Sequence, residues 1–245
     1  MQGKRRWSPV RKVGVIYRRE LASYFRSPIA YVVIAAFLSL TGYFFSVTLF
    51  ATRLAEMRFT FANLSTAVLF IAPILTVKAL VDERRSGTDE LLFTAPLSVP
   101  AIVVGKYLAA VTIYGLMLLV TGIFPAVLAQ LGDPDFGPVI SGYLGLLLLG
   151  SALLAAGIFA SSLTHDTMVA GMVGFVMMLF LWSFSWLSNA LPGRWGEMAA
   201  RLALLERFEP FLRGVVDTVD ILFYLSCVFV FLFLAVRVVD RRRWS

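Results

Sequence analysis

Residues 139–163 read VISGYLGLLLLGSALLAAGIFASSL, a run of 25 positions without one charged side chain. An α-helix rises about 1.5 Å per residue, so the run reaches roughly 37 Å, more than the roughly 30 Å hydrocarbon core of a bilayer. Its apolar positions are continuous and do not alternate as those of a membrane barrel strand must, so helix is the reading. Within the run Ala152, Ala156 and Ala160 recur every four residues beside Gly157 and Ser161. Such a stripe lets another helix approach closely, through packing within the bundle or through a subunit contact.

Five further stretches resemble it. With residues 139–163 they make six expected spans, at 29–50, 60–81, 101–131, 139–163, 167–191 and 221–239. The third is longer than a crossing needs, and Pro125 predicts a kink or an early exit before the turn at Gly132, Asp133 and Pro134. Lys78, Lys106 and Arg237 fall near span ends, where their stems can carry the charge to the headgroups. The first stretch is too long for the core of a signal peptide, and Leu49 spoils the small-residue pattern of a cleavage site, so an anchor is expected.

The whole chain supports this class. Of its 245 residues 59% are hydrophobic and 15% charged, against the roughly 45–50% and 25% of soluble domains. The 21 phenylalanines are equally foreign to disorder. A lone cysteine, Cys227, can form no internal disulfide and reads as a packing residue. Six spans place both termini on one side. Lys and Arg number 16 on that side and 6 on the other, giving net charges of +9 and −2 that account for the overall +7. By the positive-inside rule both ends are cytoplasmic, and the basic excess needs no nucleic acid to explain it.

Three segments outside the spans carry patterns of their own. Over residues 13–26 a helical projection gathers Val13, Ile16, Tyr17, Leu21 and Tyr24 on one side and Arg18, Arg19 and Arg26 on the other, an interfacial amphipathic helix ending at Pro28. Glu20 falls among its apolar positions, which implies a salt bridge, a rotated helix, or a contact with another chain or loop. Residues 82–100 form the second segment. Ser86 and Asp89 suggest a loose capping box, and a short cytoplasmic helix is expected near 88–94, exposing Leu91, Leu92 and Phe93 before Pro96. The third, residues 188–220, mixes Trp195, Leu202, Leu205, Phe208 and Phe211 with Arg201, Glu206, Arg207 and Glu209. One or two short surface helices, interrupted by Pro210, are expected there on the outer side.

Missing chemistry narrows the function. Every Asp and Glu lies in a loop or at a span end, leaving Asn63, Thr66, Gln130, Ser141, Ser161 and Ser162 as the polar residues in or near spans. An ion-coupled carrier usually keeps ionisable groups deeper. None of Lys4, Lys12, Lys78 and Lys106 sits in a phosphate-binding loop, so the chain hydrolyses no ATP by that route. With one histidine, His165, neither zinc proteolysis nor an intramembrane serine protease finds its base. His165, Met168 and Met172 have the spacing and softness of a copper(I) site, although such methionines more often simply pack.

The N-terminal run of Tyr17, Arg18, Arg19, Glu20 and Leu21, then Tyr24, Phe25, Arg26, Ser27 and Pro28, resembles the start of ABC-2 class membrane subunits of ATP-binding-cassette transporters. Residues 82–92, reading DERRSGTDELL, followed by Pro96, resemble that class's coupling segment. Within the class the chain is most similar to the gliding-motility-type, GldF-like permeases, through residues 157–163 (GIFASSL) and through Phe208 with residues 213–218 (RGVVDT). The plan is also similar to the permease of the nitrous-oxide reductase maturation system.

The resemblance implies an all-α integral membrane protein: a tail and amphipathic helix over 1–28, a six-span permease domain over 29–239 and a basic tail over 240–245. It implies a subunit in a cell membrane, a bacterial inner or plasma membrane, forming the path of an exporter with a second permease copy or relative. Two separate ATPase subunits would consume ATP, while this chain binds no cofactor and is no enzyme alone. It also implies coupling roles for Glu83, Arg85, Gly87, Thr88, Glu90 and Pro96, with Glu20 in the amphipathic helix. An ATP-independent carrier or channel, or a scaffold of a larger machine, are the competing readings.

Overall fold

A computed structural model describes residues 9–52, 56–77, 79–81, 98–132 and 134–242. The described chain is helical, with no strand among the described residues. Its elements are α1 (Pro9–Arg26), α2 (Pro28–Thr52), α3 (Arg58–Thr76), α4 (Val99–Thr121), α5 (Ile123–Leu131), α6 (Phe136–Leu163), α7 (Thr167–Ala190), α8 (Arg194–Leu202), α9 (Glu209–Leu212) and α10 (Thr218–Arg242). Six helical stretches are long and apolar enough to cross a membrane: Pro28–Ala51, Arg58–Val81, Val99–Leu131, Phe136–Leu163, Thr167–Ala190 and Thr218–Arg241. They coincide with the six expected runs.

Local chemistry sets the helix limits. Pro28 lacks an N–H and pushes Ser27 out of the helical region, so α1 stops at Arg26 and α2 begins one residue later. Asp135 caps α6 by accepting from the Gly137 amide at 2.9 Å, and Asp166 caps α7 by accepting from Met168 and Val169 at 2.7 and 3.1 Å. The third run breaks at Gly122, between α4 and α5. Pro125 forces the break three residues ahead of itself, because its ring crowds the carbonyl four residues back, at Thr121.

The charge-free run at 139–163 is the hub of the bundle. Helix α6 packs against α3, α4, α7, α9 and α10. Ala152, Ala156 and Ala160 are buried within the chain, so the small-residue stripe serves packing inside the bundle. Glycines provide the seats: a Cβ at Gly145 would stand 2.8 Å from Phe211 and 2.9 Å from Phe208, and one at Gly157 would stand 2.9 Å from Thr76 Cβ and 3.0 Å from Met178 Cε. The serines on α6 tie its ends. Ser141 donates to the Phe211 carbonyl at 2.6 Å, and Ser161 accepts from the Leu80 amide at 3.1 Å while donating to the Val77 carbonyl at 3.2 Å. In contrast, α7 and α10 leave most of their apolar surface uncovered, as helices facing lipid do.

The segment between α7 and α10 forms a cap over one end of the bundle. Arg207 is its centre: its guanidinium bonds Asp220 at 2.7 Å, lies 4.3 Å from the centroid of the Phe223 ring, and donates to the Arg201 carbonyl at 2.9 Å. Tyr224 donates to the Leu204 carbonyl at 2.6 Å from a fully buried position. Pro210 does not interrupt a helix there. It stands in the first turn of α9, where its missing N–H costs nothing and its fixed φ favours helix initiation.

Candidate functional site

Helix α1 turns part of its apolar side to a neighbouring helix. It lies along α4, the start of the third span. Ile16, 5% exposed, packs with Ala101 and Ile102, and Val13 closes the edge of that cluster. Gly105 makes the approach possible, since a Cβ there would sit 2.8 Å from Ile16 Cγ2 and 3.3 Å from the Val13 carbonyl. Tyr17 and Thr112 share a hydroxyl hydrogen bond of 3.2 Å.

Glu20 is the residue that disturbed the amphipathic pattern, and its position is now accounted for. Its Oε1 is 3.0 Å from Lys106 Nζ, a pair whose side chains are 15% and 3% exposed. Lys106 stands about two turns into α4, with its ammonium buried within the chain against Glu20. An ammonium at that depth is costly, and the carboxylate arriving from α1 offsets the cost. One turn further along α1, Tyr24 donates to the Leu75 carbonyl of α3 at 2.7 Å. Burial pushes the Tyr24 phenol well above its ordinary range, the Glu20 carboxylate adds to this, and the hydroxyl therefore stays protonated as a donor.

Through these contacts α1 is fastened to α3 and α4 at once. Those two helices flank residues 82–97 along the chain, the described helical residues reaching Val81 on one side and α4 beginning at Val99 on the other. Glu83, Arg85, Gly87, Thr88, Glu90 and Pro96, and the short helix expected at 88–94, lie outside the described residues. Of the seven coupling candidates, Glu20 alone can be placed. Sequence reading missed Lys106 as its partner and Gly105 as the seat of α1. The signal was available in two anomalies, an acid on an apolar face and a lysine inside a span, each the natural answer to the other.

The soft-ligand candidate lies at the start of α7. His165 lies in the turn before α7, while Met168 and Met172 project from α7, 78% and 65% exposed. Among the described residues no group of three or more His, Cys, Asp and Glu side chains gathers at a metal-holding spacing.

The fold therefore defines a multi-pass helical membrane protein whose N-terminal amphipathic helix is bonded to two spans. The chain belongs to the ABC-2 transporter family: the family described as ABC-2 family transporter protein matches residues 57–200. It is accordingly a membrane transport component. No curated protein matches the chain.

The α1–α4 seam makes a direct prediction. Gly105→Val places branched methyls where Ile16 now sits, an overpacking worth about 1–3 kcal/mol. Helix α1 should lift from α4, and tryptic cleavage after the exposed Arg18 and Arg19 in detergent should accelerate about tenfold. Unchanged cleavage would show that α1 does not need the seat.

Proposed function

We propose that the chain is the permease subunit of an ABC exporter, forming the translocation path with a second permease copy or close relative and driven by two separate ATPase subunits. Within the ABC-2 class we place it in the gliding-motility-type, GldF-like group, a kinship of sequence that carries no commitment to motility. Both termini face the cytoplasm of a bacterial inner or plasma membrane, as the basic bias of that side requires.

One observation carries the coupling reading: α1 is bonded to α3 through Tyr24 and to α4 through Glu20 and Tyr17, and these helices flank residues 82–97. An ATPase pressing on α1 and on that segment would move two spans together. The roles of Glu83, Arg85, Gly87, Thr88, Glu90 and Pro96 follow from the resemblance of the segment, with Gly87 giving the backbone freedom for its turn.

Copurification tests the reading. Expressed with its genomic neighbours, the chain should retain an ABC ATPase subunit through purification and stimulate ATP hydrolysis in proteoliposomes. Glu83→Lys or Glu90→Lys should cut that stimulation about tenfold while membrane insertion persists, in line with the loss of a charged interface contact. Full stimulation in both variants would end the coupling assignment. Failure to retain any ATPase would favour an ATP-independent carrier.

A further inference from the structure

One surface of the bundle has the composition of a ligand site. Where α10 leaves the bundle, a cleft of about 550 Å³ opens between it and the last turns of α6, lined by Phe159, Leu234, Arg237, Val238, Asp240 and Arg241. That size lies within the roughly 300–1,000 Å³ of ligand-holding clefts. Its two ends differ in chemistry. Phe159 and Leu234 make an apolar floor on the bilayer side, with the Phe159 and Phe231 rings 6.1 Å apart beneath it. Arg237 and Arg241 stand at the mouth, one turn apart on α10, and both are exposed.

The arginines are not consumed by the protein. Arg237 lies 4.9 Å from the centroid of the Phe233 ring, a contact that orients a guanidinium and leaves its donors available. Among the described residues neither Arg237 nor Arg241 forms an ion pair with Asp240. The α10 C-terminus and Asp240 both repel an anion. Against them the cleft lining carries two arginines to one aspartate, a net positive charge.

We propose that this cleft binds one anionic phospholipid, its phosphate held by Arg237 and Arg241 and its acyl chains laid against Phe159, Leu234 and Val238. A lipid is the occupant because charge and depth change together across the cleft. A phosphate joined to hydrocarbon satisfies both ends, whereas a free anion would leave the apolar floor uncovered. Basic pockets between membrane helices recognise acidic headgroups by this same combination. The site stands apart from the transport reading and holds whether or not the chain couples to an ATPase.

Native mass spectrometry of the purified full chain, titrated separately with phosphatidylglycerol and phosphatidylcholine, tests it. One phosphatidylglycerol should bind preferentially, and affinity for it should fall about fivefold for each arginine removed by Arg237→Ala or Arg241→Ala. The double Arg→Lys variant should keep most of the preference, which separates loss of charge from misfolding. Arg194→Ala on the cap, at the opposite end of the bundle, should change nothing. Equal binding of the two lipids by the natural chain would overturn the proposal, as would a preference surviving the double alanine variant. Displacement of the bound lipid by millimolar inorganic phosphate would overturn it too, because the acyl contacts would then contribute nothing.

Discussion

Gly150→Val is expected to abolish accumulation of the folded chain, and Gly150→Ala to lower its thermal midpoint sharply. Gly150 faces the fully buried ring of Tyr114 on α4, and a Cβ there would fall inside the ring's own envelope, 2.6 Å from the phenolic oxygen and nearer still to the ring carbons. Tyr114 cannot swing aside without breaking the 2.8 Å hydrogen bond from its hydroxyl to the Leu146 carbonyl, one turn earlier on α6. A single added methyl against a rigid aromatic costs about 1–3 kcal/mol, and the branched valine more. Because α6 joins most of the bundle, the displacement spreads to α3, α7 and α10. Size-exclusion profiles after a temperature ramp measure the effect. Tyr114→Phe should not rescue Gly150→Ala, since the ring carbons remain in the way, whereas Tyr114→Leu should rescue it in part. Rescue by phenylalanine would mean that the hydroxyl alone fills the space.

Much of this arrangement is legible in the sequence, for reasons that differ by feature. The six spans are visible because a bilayer demands about 20 apolar residues at a stretch, a constraint that tertiary contacts cannot relax. The alanine stripe on α6 is visible as a period of four. Which neighbour meets which glycine is not, because the partners of Gly145 are Phe211 of α9 and Phe208 just before it, more than 60 residues away in the chain. Pro125 announces a break, and its mechanism, a clash four residues back, places that break at Gly122. The candidate site divides in the same way. Glu20 is conspicuous as an acid on an apolar face, but its partner lies 86 residues along the chain, and local pattern holds no information about that distance. The two-sided pattern of α1 announces an amphipathic helix but not what its apolar side meets. That side meets α4, because Gly105 lets two backbones approach where any larger residue would hold them apart.

The Glu20–Lys106 pair separates a structural role from a coupling role. Glu20→Leu removes the carboxylate that stands 3.0 Å from the Lys106 ammonium, itself 3% exposed, and should destabilise the chain by about 3–5 kcal/mol. Lys106→Met leaves the carboxylate, 15% exposed and nearer to water, and should cost less. Combining the two replaces an ion pair by packed hydrocarbon between helices already apolar at Ile16 and Ile102, so the double variant should regain most of the stability lost in Glu20→Leu. A double-mutant cycle on thermal midpoints measures this, and purely additive losses would show that the two charges do not act as a unit. Function should not follow stability. If the chain works with an ATPase as proposed and the pair transmits force from α1 to α4, the double variant will insert and assemble with that ATPase, yet its transport per ATP hydrolysed will stay depressed, because an apolar contact slides where a charge-assisted hydrogen bond holds one register. Recovery of coupled transport together with stability would reduce Glu20 to the counter-ion of a buried lysine, and would leave residues 82–97 as the coupling element.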